Sequence, residues 1–493
     1  MSNDVRSKFY ADVMALHPEV TGSCHLVVVK LPDGRTKKFM VDFGLFQEDE
    51  YRENNLKMLC NADELDFVLI THNHIDHTGR LPFLVKKGFY RSIYMTNETK
   101  ELIGLALEDS CHVLLDMAKR QNTKPLYTMD DLENAKTKFV GCRYFKEIPV
   151  DSNITATFIP NGHLFGAAMI YVTIRYEGCE DINLLFTGDY NGHNMFFEIP
   201  GLPTQMLTKP LTVIQESTYG YMDSTAQTCV FEKNVIDAIE KGKTVVVPVF
   251  SLGRAQEILY VLKKMQEKGR LSEFVPIYFD GKLAIKYTEI LRTAEYIDED
   301  KRDFLPENLT FVAKDVRGLV IESEEPKIIV STSGMGSYGP VQTYITNFLP
   351  RYDALIQFTG YTSENTLGGR LKAAQKEAII EAFGLFLVKR ADVEYTTEYS
   401  AHAKADEMIN FLKQFTNLQL VLVNHGQLEV KEAFANRIMS QVKPKNVGIL
   451  GNGYLFRVNH FGLVKTMGTK FEWDSKRGAN LAPLYFKKYK QIF

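Results

Sequence analysis

Residues 66–79 read DFVLITHNHIDHTG, a short apolar run followed at once by a loop rich in histidine. The run over 66–70 is typical of a buried strand. His72 and His74 are two residues apart and project to the same side of an extended chain, and Asp76 and His77 follow as the loop turns. Imidazole nitrogen and carboxylate oxygen without thiolate suit Zn²⁺ or a similar divalent metal at an open site. We therefore predict a metal site here; the alternative is a polar loop whose histidines are fortuitous.

Two further motifs also place a polar group at the end of an apolar strand. Residues 159–166 read IPNGHLFG and contain His163, and residues 184–190 read LLFTGDY and contain Asp189. Taken singly, His163 fits a hydrogen-bonded structural histidine and Asp189 a turn former after Gly188. Taken together with the first motif, they favour a two-metal site, because one aspartate can bridge two ions that hold a hydroxide for in-line attack at phosphorus.

Composition limits the classes of protein that come into question. The 493 residues carry 24 % charged and 45 % hydrophobic side chains, which excludes a largely disordered chain. A net charge of -3 excludes a polybasic protein, so any contact with nucleic acid must be local. The six cysteines form no CxxC pair, which argues against thiolate zinc clusters. Without a signal peptide or a long apolar run, we expect a cytoplasmic protein with no membrane contact.

The rhythm of apolar runs changes twice along the chain. Residues 25–42 predict a β-hairpin, and the first two hundred residues read as a sheet-rich α/β unit with polar helices over 98–137. From about 211, beginning with VIQE, strands alternate with helices, and continuous apolar strands such as 244–250 and 327–334 indicate a parallel, doubly wound sheet. Near 391 the pattern changes back, so two domains are expected.

The motifs resemble, in order, those of a known fold family. Asp42 in VDFG, the HxHxDH motif, His163 and Asp189 are similar to the four motifs of the metallo-β-lactamase fold. Glu216 in QESTYG, His402 in YSAHA and His425 in VLVNHG match the extra motifs of the β-CASP branch, nucleases in which a second α/β domain is inserted into that fold. VFSLGRAQE over 249–257, STSGM over 331–335 and TLGGRL over 366–371 are supporting matches.

This resemblance implies an α/β fold in which an inserted domain interrupts another. We expect a metallo-β-lactamase αββα sandwich built from residues 1–208 and 391–493, with an inserted doubly wound parallel α/β domain, the β-CASP domain, over 209–390. The resemblance covers essentially the whole chain.

The resemblance also implies a ligand set for two zinc ions. His72, His74 and His163 would hold one ion, Asp76, His77 and His425 the other, and Asp189 would bridge them. Asp76 would also face the bridging hydroxide. Asp42 would steer a ligand histidine through its free ring nitrogen.

Catalytic roles beyond the metal ligands come from the β-CASP motifs. His402 would donate a proton to the leaving oxygen or stabilise the scissile phosphate, and Glu216 would hold it and raise its proton affinity. Without the resemblance, Glu216 reads as a strand-end surface carboxylate and His402 as a polar residue at a helix start. A histidine at 425 resembles the RNA-processing members, since the DNA-repair members have valine there. Gln427 departs from the usual HGE of the related endonucleases by losing a charge.

Candidate substrate contacts are less specific. YSAHA keeps Ser400 as a donor to phosphate, and Ser333 in STSGM lies at a strand end, where parallel sheets commonly bind ligands. Arg254 and Arg370 lie beside glycines and can each bind two phosphate oxygens, with structural ion pairing as the alternative. Residues 470–493 combine six basic residues with two acidic ones and interleaved aromatics, a pattern for single strands. A terminal strand and helix explain that segment equally well.

The sequence therefore predicts a ribonuclease with two Zn²⁺ per chain, similar to bacterial and archaeal relatives of the cleavage-and-polyadenylation endonuclease. We expect hydrolysis of single-stranded RNA in a cleft between the domains by a hydroxide that two metals activate, leaving 5′-phosphate and 3′-hydroxyl ends, and a chain that can form a homodimer. An endonuclease is favoured, because the start of the chain does not resemble RNase J and that group's extra C-terminal domain is not seen. The alternatives are a 5′-to-3′ exoribonuclease, a DNA or other phosphodiesterase, and a catalytically silent scaffold of an RNA-processing complex.

Overall fold

The computed structural model describes residues 8–16, 20–224, 229–360, 362, 366–451 and 454–468. Within them the chain divides into two compact units. The first comprises the described residues up to His193, residues 199–224 and those from His402 onward, and the second comprises residues 194–198 and the described part of 225–401. The predicted basic and aromatic segment, 470–493, lies outside the described residues.

The described strands and helices follow one another in mixed order along the chain. The strands are β1 Tyr10–Ala15, β2 His25–Lys30, β3 Thr36–Val41, β4 Phe67–Leu69, β5 Ile93–Thr96, β6 Phe139–Cys142, β7 Glu147–Asp151, β8 Ile154–Pro160, β9 Ala168–Ile174, β10 Ile182–Phe186, β11 Leu211–Gln215, β12 Thr244–Val249, β13 Ile277–Asp280, β14 Leu309–Phe311, β15 Ile328–Thr332, β16 Ala354–Phe358, β17 Ile379–Ala382, β18 Leu385–Val388, β19 Asp392–Tyr395, β20 Leu418–Val423, β21 Asn446–Ile449, β22 Tyr454–Asn459 and β23 Gly462–Gly468. The α-helices are α1 Ile75–Thr78, α2 Leu81–Lys86, α3 Asn97–Gln121, α4 Met129–Lys136, α5 Thr204–Thr208, α6 Val230–Glu240, α7 Arg254–Glu267, α8 Lys282–Thr293, α9 Arg317–Glu322, α10 Val341–Phe348, α11 Leu367–Ala373, α12 Ala405–Leu412 and α13 Leu428–Gln441. Short 3₁₀ turns span Asp49–Leu56, Ala62–Glu64 and Glu299–Lys301.

Two sheets and two layers of helices build the first unit. One sheet has eight strands in the order β23-β22-β1-β2-β3-β4-β5-β6, and the other has seven in the order β21-β20-β11-β10-β9-β8-β7. Side chains alternate along β2, so that Val27 packs in the core between the sheets and Leu26 packs under α2, α3 and α4. Met408 of α12 and Phe434 of α13 cover the other sheet. These layers confirm the predicted αββα sandwich.

The strand that precedes the histidine loop is buried on both faces. Phe67 and Leu69 of β4 point into the core between the sheets, whereas Val68 and Ile70 point under the helices. A strand covered on both sides reads as a continuous apolar run, which is why residues 66–70 lack alternation. The predicted β-hairpin is also present, with β2 and β3 antiparallel and Lys30 opposite Thr36.

The second unit contains a six-stranded sheet in the order β14-β13-β15-β12-β16-β19, in which every pair is parallel. All six residues of β12 are buried. Pro248 is tolerated in this central strand because the pairing with β16 ends at Val246, so no ladder hydrogen bond is lost on that side. Helices separate the strands along the chain, as predicted.

Strand β11 differs from its predicted place. The alternating pattern from VIQE onward assigned it to the inserted domain, but β11 pairs in parallel with β10 and β20 in the seven-stranded sheet of the first unit. Conversely β19, beyond the expected boundary at 390, pairs with β16 in the second unit. A buried parallel strand has the same apolar run in either sheet, so the run does not reveal which sheet it joins.

Candidate metal centre

The candidate site lies where several strands of the first unit end. Strands β8, β10, β11 and β20 run in the same direction, because β9 is antiparallel to both β8 and β10 and the other two pairs are parallel. Their carboxyl ends therefore meet at one edge of the sheet, and the loop after β4 joins them. Polar residues follow each strand end: His72, His74, Asp76 and His77 after β4, His163 after β8, Asp189 after β10, Glu216 after β11 and His425 after β20.

A first group of ligand atoms converges around His74. Its Nδ1 lies 3.2 Å from Nε2 of His72 and 3.2 Å from Nε2 of His163. Oδ2 of Asp189 lies 3.7 Å from the His72 nitrogen and 3.8 Å from the His163 nitrogen. A tetrahedral zinc site with bonds of about 2.0–2.1 Å places its ligand atoms about 3.3 Å apart. The four side chains match that spacing closely.

A second group shares Asp189 with the first. Nε2 of His77 lies 3.3 Å from Oδ2 of Asp189 and 3.8 Å from Oδ2 of Asp76. His425 places Nδ1 3.3 Å from Oδ1 of Asp189 and Nε2 3.9 Å from Oδ2 of Asp76. Candidate ligand atoms in each group lie within 4.8 Å of one another, with Asp189 in both.

Asp42 fixes the orientation of one ring in the second group. Its Oδ2 accepts a hydrogen bond of 2.7 Å from Nδ1 of His77, which leaves Nε2 facing Asp189. Oδ1 of Asp42 accepts the backbone N–H of Thr71 at 2.8 Å, so the carboxylate is itself held. Such a carboxylate fixes the tautomer of a ligand histidine and raises its basicity.

Burial and charge set the protonation states of the candidate ligands. Burial holds the pKa of His72 well below its usual value and lowers that of His74 to about 4, so both rings are neutral near pH 7. Burial raises the pKa of Asp76, but the neighbouring His77 and the hydrogen bond from His425 outweigh it and bring the value to about 2. Neutral imidazoles beside ionised carboxylates are the forms that bind cations.

His77 shows that positive charge is favoured at the centre of the site. Burial lowers its pKa, but Asp189 and Asp42 outweigh that effect and raise the pKa well above the usual value. Within the described residues, the buried Nε2 of His77 and Oδ1 of Asp189 have no hydrogen-bond partner of good geometry. A proton or a metal ion can supply the charge, and the converging donor atoms fit a metal ion.

His402 and Glu216 lie beside the two ligand groups. Nδ1 of His402 lies 3.1 Å from each oxygen of Glu216, and its Nε2 lies 4.0 Å from Oδ2 of Asp189. Burial lowers the pKa of His402, but the Glu216 and Asp189 carboxylates outweigh burial and raise it to about 9. The Glu216 side chain is 1 % exposed and the His402 side chain 20 % exposed, so His402 is the member of the pair that can meet a substrate.

Comparison with known proteins identifies the family. Residues 18–154 match the metallo-beta-lactamase superfamily, residues 255–371 the Beta-Casp domain, and residues 388–449 the Zn-dependent metallo-hydrolase RNA specificity domain. An "RNase J-like protein" of Methanocaldococcus jannaschii is 30 % identical over 387 residues, which are 77 % of this chain and 86 % of that protein.

The chain is a β-CASP metallo-β-lactamase. Two further similar proteins are "Ribonuclease TTHA0252" of Thermus thermophilus, 28 % identical over 88 % of this chain and 97 % of that protein, and "Transcription termination factor FttA" of M. jannaschii, 29 % identical over 83 % of this chain and 65 % of that protein. The predicted family is confirmed, and with it a metal-dependent hydrolase of a ribonuclease family.

The four predicted substrate-binding residues of this β-CASP protein lie in its second unit. Arg254 is 7 % exposed and pairs with Glu257 at 2.8 Å, as the structural alternative proposed. Arg370 donates to the backbone carbonyl of Glu381 at 2.7 Å. Ser333 follows β15, and Ser400 precedes His402 in the chain. Their role in substrate binding stays a prediction.

Three residues that sequence reasoning missed support the centre. The Thr71 hydroxyl lies 2.9 Å from Oδ2 of Asp42 and 3.0 Å from Nδ1 of His72. The amide of Asn161 donates to the backbone carbonyl of Asp189 at 2.8 Å, and its oxygen accepts the N–H of His163 at 3.2 Å. Thr218 places its hydroxyl 3.1 Å from Nδ1 of His425. Each lies within one of the quoted motifs, and only that position in the sequence could have pointed to it.

Within the described part of the chain, no helix is both long and apolar enough to cross a membrane.

Proposed function

We propose that this β-CASP protein is a zinc-dependent ribonuclease that hydrolyses phosphodiester bonds of single-stranded RNA. The observation that carries the proposal is the pair of ligand groups that share Asp189. A donor set of imidazole and carboxylate without thiolate suits Zn²⁺, and a shared carboxylate suits two ions rather than one.

Each ion has its own set of side chains in this proposal. His72, His74 and His163 would hold the first, Asp76, His77 and His425 would hold the second, and Asp189 would be shared between the two sets. Bound there, the two ions would supply Lewis acidity, which polarises water and offsets the negative charge of a phosphate.

The side chains of the chain itself orient the ligands and move a proton. Asp42 and Thr71 keep Nε2 of His77 turned towards Asp189. Glu216 holds Nδ1 of His402, so the proton available to the substrate is on Nε2, which faces Asp189. His402 then donates that proton to the leaving 3′ oxygen, and the products carry 5′-phosphate and 3′-hydroxyl ends.

Asp76→Ala tests the assignment of the site. Loss of this direct ligand lowers RNA cleavage at least about a hundredfold and lowers the zinc content per chain, because changes to the partners of metal ligands alone cost 10–100-fold. Cleavage of labelled single-stranded RNA and elemental analysis of the purified protein measure both effects. Asp116→Ala, which removes an exposed carboxylate on α3, is the control and keeps both. Unchanged cleavage in Asp76→Ala contradicts the proposal.

The mode of cleavage has two candidates. We favour an endonuclease, and the similarity to an "RNase J-like protein" supports a 5′-to-3′ exonuclease as the second candidate. RNAs with a 5′-monophosphate or a 5′-hydroxyl, labelled at either end, separate them: mononucleotide release only from the monophosphate requires the exonuclease. Labelled DNA of the same sequence tests the alternative substrate.

The homodimer and the cytoplasmic location stay predictions. Sedimentation velocity of the purified protein measures whether it forms a homodimer.

A further inference from the structure

An exposed aromatic ring lies close to the candidate metal centre in the first unit. Tyr221 follows the QESTYG motif that supplies Glu216, and it is 55 % exposed. Tyr219, two residues earlier, is 2 % exposed. Single exposed aromatics are common on protein surfaces, so exposure alone says little. Two features distinguish Tyr221: its ring neighbours lead to His402, and hydrogen bonds hold the backbone that carries it.

Tyr219 is a ring neighbour of both His402 and Tyr221, and we call these three successive neighbours the aromatic row. The centroids of Tyr219 and His402 are 6.1 Å apart, at an interplanar angle of 79°. The centroids of Tyr221 and Tyr219 are 6.5 Å apart. The row begins at the proposed proton donor and ends at a ring that is open to solvent. A strand of RNA whose scissile phosphate is at the metal centre can therefore bring one of its bases to Tyr221.

The backbone that carries Tyr221 is fixed on both sides. Met222 donates its N–H to the carbonyl of Tyr219 at 3.0 Å and accepts the N–H of Ala405 at 2.8 Å. Both the N–H and the hydroxyl of Ser224 donate to Asp406 at 2.9 Å. Because these bonds tie the turn to the start of α12, the ring is presented without a large loss of backbone entropy on binding.

We propose that Tyr221 is a binding platform for a nucleobase on the upstream side of the cleaved bond, which rests on the ribonuclease function proposed above. His402 protonates the 3′ oxygen of the upstream nucleotide, so we assign Tyr221, which neighbours His402 through Tyr219, to that side. Bases stack on aromatic rings with little sequence preference, because every base has a π-face. Tyr221 thus contributes affinity for single-stranded RNA without reading its sequence.

Tyr221→Ala and Tyr221→Phe test the platform. For a short single-stranded RNA with one cleavage site, we expect Tyr221→Ala to raise KM about 5- to 150-fold, the range for loss of one stacked base, with a smaller change in kcat. Tyr221→Phe keeps the ring and stays near the wild-type KM. Tyr90→Ala removes a ring in the same unit that is 59 % exposed and serves as the control with unchanged KM.

Abasic substitutions in the RNA identify the stacked nucleotide. One abasic residue, placed in turn at the first and second positions upstream and downstream of the cut, raises the KM of the wild type at one upstream position. That abasic RNA causes little further loss in Tyr221→Ala, because the variant has already lost the contact. Two results overturn the platform. One is an unchanged KM in Tyr221→Ala. The other is that, at both upstream positions, the abasic residue raises the KM of Tyr221→Ala by the same factor as that of the wild type. If the wild type with zinc does not cleave RNA at all, the proposed function fails instead.

Discussion

At the scale of single residues, the pairing of Glu216 with His402 sets the pH range of activity. A proton donor works in its protonated form, so activity falls as the pH rises through its pKa. Glu216→Gln keeps the shape of the side chain and removes the charge that raises the pKa of His402 to about 9. We expect the alkaline limb of the pH profile of kcat to move to lower pH, by one unit or more. Cleavage rates between pH 6 and 10 measure the shift.

The matched control is the same change at another carboxylate. Glu407→Gln alters another carboxylate of the first unit, one that accepts the N–H of Lys404 near His402. If a carboxylate must contact the His402 ring to raise its pKa, the alkaline limb in Glu407→Gln stays where it is in the wild type. An alkaline limb that does not move in Glu216→Gln contradicts the role of His402 as the proton donor.

The residues of the site differ in how visible they are in a sequence. The convergence of His72, His74 and His77 could be predicted, because histidines at such short spacing have few other uses. Glu216 and His402 could be found only through the resemblance, since alone they read as surface polar residues. Thr71 and Thr218 were missed because threonine follows many strands, and only the folded chain shows which ring nitrogen its hydroxyl meets.

At the scale of elements, close contact between two loops positions Asp76. The loop after β3 pairs with the histidine loop: Phe43 donates its N–H to the carbonyl of His77 at 2.7 Å. A Cβ added to Gly44 would lie 1.5 Å from the carbonyl oxygen of Asp76. Gly44→Ala must therefore push the two loops apart. We expect it to destabilise the chain by about 1–3 kcal/mol and to lower the affinity for zinc. Urea unfolding and zinc titration measure the two effects.

The control for this change is a glycine with free space. A Cβ added to Gly201 meets no atom within 4 Å, so Gly201→Ala leaves stability and zinc affinity nearly unchanged. Zinc affinity that is unchanged in Gly44→Ala would show that the contact between the loops does not position Asp76.

The elements themselves were largely predictable, and their partners were not. The alternation of apolar strands with helices correctly indicated a parallel sheet over 244–358, because such strands are covered on both faces. The same property made β11 ambiguous, since a run of five buried residues is compatible with either sheet. Its pairing with β20 joins residues about two hundred positions apart, such as Leu211 and Leu418, and no local pattern records that contact.

At the scale of the whole molecule, the proposed zinc ions link segments that are far apart in sequence. The ligand groups join the ends of β4, β8, β10 and β20, all within the first unit. A ligand that binds only the folded state stabilises it by about 4 kcal/mol at a thousandfold excess over its Kd. Chelation should therefore loosen these strand ends selectively. We expect hydrogen exchange at residues 70–78, 161–166, 187–191 and 424–427 to accelerate at least tenfold after zinc removal, with the core of the second unit as the internal reference.

Strands β12, β15 and β16 form that reference, because none of their residues belongs to a ligand group of the described chain. Adding zinc back should restore protection at the strand ends in the wild type and restore less of it in Asp76→Ala, which keeps the first ligand group whole but the second only in part. This comparison separates metal binding from general damage by the chelator. Equal acceleration in both units would mean that the ions stabilise the chain as a whole, and unchanged exchange at all four segments would mean that the histidine and aspartate groups hold no structural metal.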